Sequence, residues 1–126
     1  MKGDVLRVVR GPWAHYGISA RNDNQVVIEV DLGGVVSVVH LEHFSRGFPV
    51  EVDRQAAPWE REQIVARALE KLGTPWTVHF NCESLVSYAV TGIERSWTVE
   101  NVAKLLVVCG IAAFVSRPTF WAASRS

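Results

Sequence analysis

Residues 80–92 read FNCESLVSYAVTG and predict a helix that begins with a cysteine. Asn81 is a favoured N-cap, because its side chain accepts hydrogen bonds from the free backbone N–H groups of the first turn. Gly92 is the residue type that commonly follows the end of a helix. Cys82 would lie in the first turn, where the helix dipole favours a reactive thiolate. Position alone leaves open the alternative that Cys82 is a small core residue.

Two further helices are predicted, one on each side of this segment. The first extends from Pro58 through Leu72, since proline suits a first helical turn and Gly73 supplies the C-terminal cap. The second starts near Thr98 and contains the apolar run 105–115, which is shorter than the ~20 residues of a membrane span. Shallow membrane insertion, spanning, burial against the domain and exchange with a second copy all stay open for this run. Its candidate membrane-binding or partner-binding residues are Leu105, Leu106, Val107, Val108, Ile111 and Phe114.

The first half of the chain has the pattern of β-strands. Short β-branched runs alternate with turn residues, and the Asn-Asp-Asn of residues 22–24 is a strong hairpin turn. The sequence therefore predicts an α+β fold, in which an N-terminal antiparallel β-meander packs on a helix pair that carries the Asn-Cys box. Residues 1–95 would form this domain, and residues 96–126 a C-terminal apolar helix and tail. The predicted strands are Val5–Val9, His15–Ala20, Val26–Val30, Val35–Leu41 and Phe48–Val52.

Composition argues against several classes of protein. The 126 residues suit one domain, and 13 Lys plus Arg balance 13 Asp plus Glu for a formal net charge of zero. A dedicated nucleic-acid binder needs clustered surplus cations, so RNA is only weakly supported as a partner, by Lys2, Arg7, Arg10 and Arg21. Two cysteines cannot build a disulfide framework, and the first residues lack the apolar stretch of a signal peptide. An intracellular, reducing location is therefore expected.

His15 and Glu29 are the candidate partners of Cys82. They lie on the two arms of the predicted hairpin at an even separation, which puts them opposite or one diagonal step apart on the same sheet face. A carboxylate beside an imidazole holds its tautomer and raises its basicity, so the three could act as nucleophile, base and orienter. The alternative is that Glu29 is an ordinary solvated strand residue. The remaining histidines, predicted to lie on the surface or in a loop, are His40, His43 and His79.

Six segments, taken together, resemble the LRAT/PLAAT family of lecithin:retinol acyltransferase and the small phospholipase/acyltransferases. In chain order they are GDVLRVVR, HYGIS, VVIEV, LEHFSRG, LEKLG and FNCESLVSYAVTG, within residues 3–92. The resemblance implies a circularly permuted papain-like, NlpC-type fold. It implies that Cys82 is the nucleophile and His15 the general base in attack on a phospholipid or other acyl ester, with no cofactor or metal. Asn81, Glu83 and Tyr16 would support these two boxes.

Two departures from the family pattern favour one of its subgroups. Family members have a histidine in a strand where this chain has Glu29, and His-Phe where it has Ser84-Leu85. Picornavirus 2A proteins of the H-box/NC type, as in kobuviruses, resemble this chain in size and in such drift. That resemblance implies a catalytically degenerate module in viral replication, at host cytoplasmic membranes or bound to host or viral replication proteins, and able to dimerise through the C-terminal helix. The alternative is an active thiol acyl hydrolase or acyltransferase using Cys82, His15 and Glu29.

Overall fold

Five strands and four helices make up the part of the chain that the computed structural model describes, the backbone of residues 1–116 and the side chains of residues 1–106. The predicted α+β class is confirmed. Three short loops separate the first four strands, as the turn residues predict. The elements in chain order are β1 Val5–Arg10, β2 Trp13–Ser19, β3 Val26–Glu29, β4 Ser37–His40, α1 Leu41–Ser45, β5 Val50–Arg54, α2 Arg61–Glu70, α3 Cys82–Thr91 and α4 Trp97–Ser116.

The strands form one antiparallel sheet in the order β4-β3-β2-β1-β5. The first four strands are the predicted meander, but β5 does not continue it. Instead β5 pairs with β1 at the opposite edge, where Val50 lies opposite Val8 and Val52 opposite Leu6. The reason is α1, which packs on β3 and β4 after the chain leaves the sheet, so that the following residues cross to the far edge.

Alternation along the strands gives the sheet two apolar faces. Leu6 and Val8 point to the face that α1 covers, where they pack with Val27 and Phe44. Val5 and Ile18 point to the other face, where α2 and α3 supply the larger core. The members of that core with the least exposure include Ile28, Val30, Val36, Ile64, Ala68, Leu85 and Ala89. His15 lies directly opposite Val8 and so belongs to the α1 face.

The helix boundaries differ from the prediction in two places. The strand predicted for Val35–Leu41 ends at His40, and residues 41–45 form α1, because one helical turn brings Phe44 down onto the sheet and buries it completely. α2 begins at Arg61 and ends at Glu70, since residues 58–60 form a turn in which the N–H of Glu60 donates to Ala57, and Lys71 caps the last turn. α3 has the predicted caps, Asn81 and Gly92.

A second compact unit begins at Trp97 with α4. Most of its described side chains are exposed, including Leu105 at 62% and Leu106 at 66%. No helix among the described residues has both the length and the apolar character needed to cross a bilayer. The side chains of four residues predicted to bind a membrane or partner lie outside the described ones: Val107, Val108, Ile111 and Phe114.

Candidate active site

The start of α3 positions the cysteine. Asn81 has an extended backbone, and its Oδ1 accepts hydrogen bonds from the N–H groups of Glu83 (3.0 Å) and Ser84 (3.2 Å). The N–H of Asn81 in turn donates to Ser84 Oγ at 3.2 Å, which completes a capping box. Cys82 is therefore the first residue of the helix, partly buried and free of any disulfide. Ser84 and Leu85 both have structural roles, since Ser84 completes the capping box and Leu85 is fully buried.

A buried hydrogen-bond network holds the residues on either side of Cys82. Asn81 Nδ2 donates to Ser96 Oγ at 3.1 Å, and Ser96 Oγ donates to Glu83 Oε1 at 2.7 Å. We call Asn81, Glu83, Ser84 and Ser96 the box network; all four are buried. The predicted supporting residues Asn81 and Glu83 thus lie together, whereas Ser96 was missed because nothing in its local sequence marks it.

The hairpin brings His15 and Glu29 together as its spacing predicts. Ile18 pairs with Ile28 and Ser19 with Val27, so that continuing the register puts Glu29 one diagonal step from His15 on the α1 face. His15 Nε2 lies 3.5 Å from Glu29 Oε2, and the two residues are only 6% and 3% exposed. The predicted placement of this pair is confirmed, and the interpretation of Glu29 as a solvated residue is wrong.

Phe44 packs against the His15 ring and was not predicted. The two ring centroids are 5.0 Å apart. Gly17 makes this contact sterically feasible, because a Cβ there would lie 2.8 Å from Phe44 Cε1 and 2.6 Å from Val27 Cγ1. A glycine inside a strand is the signal that could have indicated such a close approach.

His15 interacts with Cys82 as well as with Glu29. Burial of the ring, the largest single influence, lowers the pKa of His15, but hydrogen-bonding and charge interactions with Cys82 and Glu29 outweigh it and raise the pKa from 6.5 to about 9. His15 is therefore an imidazolium at neutral pH. Tyr16, the next residue, points to the other face, where it packs against the core that Cys82 also contacts.

Asp31 lies next to His15 and pairs with two arginines, and none of these three was predicted as a site residue. Arg10 Nη2 donates to both carboxylate oxygens of Asp31 at 3.2 Å, and Arg46 Nη2 donates to Asp31 Oδ2 at 2.9 Å. Burial, the largest influence, raises the pKa of Asp31, but the Leu32 N–H, the His15 charge and Arg10 together lower it below its usual value. We call Arg10, His15, Glu29 and Asp31 the strand cluster.

Polar atoms without hydrogen bonds are concentrated in the strand cluster. The described residues contain five buried side-chain nitrogen or oxygen atoms of this kind. Two of them belong to Arg54 and Glu60, which form an ion pair with each other at 2.6 Å. The other three are Arg10 Nη1, His15 Nε2 and Glu29 Oε1. Because unsatisfied buried polar groups are rare in folded proteins, this concentration marks the site.

The same residues offer the one set of potential metal ligands found among the described side chains. Ligand atoms of His15, Glu29 and Asp31 all lie within 4.8 Å of one another. The set fits a cation poorly, because both oxygens of Asp31 already accept hydrogen bonds from arginine and His15 carries a proton at neutral pH. These three residues are therefore better suited to stabilise a protonated His15 than to bind a metal ion.

No protein-family model matches this chain, and no curated protein matches it.

Proposed function

We propose that the protein is a cysteine-dependent acyl hydrolase or acyltransferase, with Cys82 as nucleophile, His15 as proton carrier and Glu29 as orienter. The observation that carries this proposal is the buried His15, which interacts with the thiol at a helix start on one side and with a buried carboxylate on the other. From the sequence, a catalytically degenerate interaction module is the first interpretation and an active enzyme the alternative. On the basis of this geometry, we propose the active enzyme first. Glu29 lies where an orienting group is needed, which supports an intact site despite the missing histidine.

The chain order also supports the permuted papain-like arrangement as part of this proposal. The histidine strand β2 precedes the cysteine helix α3, and α3 packs on β2. Nε2 of His15 faces Glu29, which leaves Nδ1 as the nitrogen for Cys82. In the proposed resting state, this imidazolium is paired with a Cys82 thiolate, the arrangement that activates cysteines at helix starts beside a protonated histidine.

Acylation begins when the Cys82 thiolate attacks the carbonyl carbon of an acyl ester. A C–S bond forms and the carbonyl electron pair moves to oxygen. When the carbonyl re-forms, the bond to the leaving oxygen breaks, and the His15 imidazolium gives its proton to that oxygen. An alcohol departs, leaving a thioester on Cys82 and a neutral His15.

Deacylation restores the resting pair. Neutral His15 takes a proton from water or an amine while the oxygen or nitrogen attacks the thioester carbonyl. The C–S bond breaks and Cys82 leaves as thiolate beside a protonated His15. Water yields a fatty acid by hydrolysis, and an amine yields an amide by acyl transfer. The acyl-ester substrate class itself comes from the family resemblance.

The test is the pH dependence of Cys82 alkylation by iodoacetamide, in a Cys109→Ser background that leaves one thiol. Rapid labelling at pH 6 that slows at least ~10-fold in His15→Ala is expected, because a thiolate–imidazolium pair persists below the pH at which a free thiol (~8.5) ionises. Glu29→His should preserve the rate, since it restores the family's residue. Labelling at pH 6 as slow as a free thiol's, and indifferent to His15→Ala, would overturn the proposal.

We propose as a second candidate function an interaction module of the picornavirus 2A kind, attached to membranes or replication proteins through α4. The observation that favours it is the exposure of Val102, Leu105 and Leu106 on α4. Deleting residues 99–126 should abolish co-sedimentation with liposomes, whereas a His15→Ala chain should sediment like the parent. Unchanged sedimentation of the truncated chain would eliminate α4 as the membrane anchor.

A further inference from the structure

The His15 imidazole has to present its two nitrogens to two different partners. In the proposed site, Nδ1 meets the Cys82 thiol and Nε2 faces Glu29. The contact with Glu29 Oε2 is an ion pair at 3.5 Å, and Nε2 is buried without a hydrogen bond. An ion pair of this length attracts the ring without the directionality of a hydrogen bond, and the torsion that rotates the ring has a broad potential. Another contact is therefore needed to hold the ring plane.

Phe44 makes a contact of this kind. Its ring centroid lies 5.0 Å from that of His15, and the two ring planes are inclined by 33°. The separation falls within the ~4.5–7 Å at which aromatic rings attract each other in offset or tilted arrangements. Both residues are buried, Phe44 completely. Because an aromatic ring also attracts a cation, the contact favours both the position and the protonated form of His15.

Gly17 permits Phe44 to come unusually close to the histidine strand. A Cβ at residue 17 would lie 2.8 Å from Phe44 Cε1 and 2.6 Å from Val27 Cγ1. A glycine inside a strand weakens that strand, and it marks places where another group approaches the backbone. If Phe44 only filled the core, a smaller apolar side chain could fill the same space and leave room for a Cβ at residue 17. The glycine is therefore explained by the approach of an aromatic ring.

The helix that carries Phe44 is bound to its surroundings at both ends. At its start, the N–H of Leu41 donates to the carbonyl oxygen of Gln25 at 2.9 Å, in the turn before β3. At its end, Arg46 adopts the left-handed conformation with φ 50°, and its Nη2 donates to Asp31 Oδ2 at 2.9 Å. Phe44 thus projects from a short helix that is held in place relative to the sheet.

We propose that Phe44 is a positioning residue of the site: its ring packs against the imidazole and confines His15 to the orientation in which Nδ1 meets Cys82 and Nε2 meets Glu29. This inference rests on the proposed function and adds to it the group that orients the imidazole plane. Glu29 supplies the charge, and Phe44 restricts the rotation. The thiolate and the leaving oxygen then meet the same nitrogen in turn, without a search for the reactive geometry.

The test is the rate of Cys82 alkylation by iodoacetamide in the Cys109→Ser chain, at pH 6 and at pH 9.5. Phe44→Leu should slow labelling at pH 6 by about 2- to 10-fold, the factor that a ring–ring interaction supplies. Labelling at pH 9.5 should change less than ~1.5-fold, since a thiol of pKa ~8.5 is ionised there without help from His15. Phe44→Met should lose less at pH 6, because its sulfur still makes a favourable contact with an aromatic ring.

Val39→Ala is the matched control. Val39 packs on the same apolar cluster as Phe44 but lies on β4, which β3 separates from the histidine strand. This change should leave both rates unchanged. Gly17→Ala tests the contact from the opposite side, because its Cβ would displace the Phe44 ring. It should slow labelling at pH 6 and spare labelling at pH 9.5, as Phe44→Leu does.

The two pH values separate positioning from packing. A residue that only supports the fold alters access to the thiol at every pH. Equal effects of Phe44→Leu at the two pH values, or no effect at pH 6, would therefore overturn the positioning role. Slow labelling of the parent at pH 6 that ignores His15→Ala would instead overturn the proposed function, so the two failures are distinguishable.

Discussion

The box network and the strand cluster differ in how completely their hydrogen bonds are made. In the box network, Asn81, Ser84 and Ser96 form hydrogen bonds with one another and with Glu83. No side-chain atom of this network is among the buried atoms that lack a hydrogen bond. In the strand cluster, Arg10 Nη1 and Glu29 Oε1 are buried without a hydrogen bond, and His15 Nε2 has only its 3.5 Å ion pair with Glu29.

We infer from this difference that the box network has a structural role and the strand cluster a chemical one. A fully bonded network has one favourable arrangement, so the box network fixes the backbone from which the Cys82 side chain projects. Buried donors and acceptors that lack a partner can form hydrogen bonds with a reacting group or a ligand. Mutations in the box network should therefore reduce stability at every pH, whereas mutations in the strand cluster should act through charge.

The largest effect is expected for Asn81→Ala. This change removes the cap on Glu83 and Ser84 and leaves Ser96 without one of its buried partners, so the free energy of unfolding should fall by roughly 2–4 kcal/mol. Urea denaturation measures it, with the same loss expected at pH 6 and pH 9. Asn22→Ala, at an exposed turn position that accepts from the Lys2 N–H, should cost less than ~0.5 kcal/mol. A loss under about 1 kcal/mol for Asn81→Ala would contradict the scaffold role.

Local sequence rules predict the parts of the site that lie close together in the chain. The caps of α3 follow from Asn81 and Gly92, and the pairing of His15 with Glu29 follows from the even spacing of a hairpin. Each depends on hydrogen bonds or strand alternation within a few residues. The spacing left two registers open, and the pairing of Ile18 with Ile28 selects the one that puts Glu29 a diagonal step from His15.

Most of the missed features depend on contacts between distant segments. Ser96 reaches Asn81 across 15 residues, and Asp31 meets Arg10 across 21. The position of β5 beside β1 also could not be predicted from the local sequence. The alternating residues of β5 are compatible with either edge of the sheet. α1 was mistaken for strand because one helical turn is too short to show a helical period.

Ser96→Ala should have an intermediate effect. The hydroxyl donates to Glu83 and accepts from Asn81, so its loss leaves two buried polar groups with fewer partners and should cost about 1–3 kcal/mol. Ser96→Thr keeps the hydroxyl and should recover most of the loss. The measurement is again urea denaturation; equal losses in the alanine and threonine variants would show that packing at residue 96, and not its hydrogen bonds, matters.

The smallest effect, and the one most specific to the strand cluster, is the pH dependence of stability in Glu29→Gln. The pKa of His15 is raised from 6.5 to about 9 in the folded protein, so its contribution to stability is complete below pH 6.5 and is lost as the pH rises through about 9. Removing the Glu29 charge brings this pKa closer to 6.5, because one of the two interactions that raise it disappears. At ~1.4 kcal/mol per pKa unit, the parent should lose on the order of 1 kcal/mol more than the variant between pH 6.5 and 9.

Thermal or urea unfolding across this pH range measures the difference, and the two proteins should converge at the alkaline end. Glu51→Gln serves as the control, because Glu51 is exposed on β5 and pairs with Arg7 on the surface, where an ion pair contributes little. Parallel stability curves for the parent and Glu29→Gln would mean that Glu29 does not hold the proton on His15. The two clusters would then differ in their hydrogen bonding but not in their function. The result would also contradict the orienting role of Glu29.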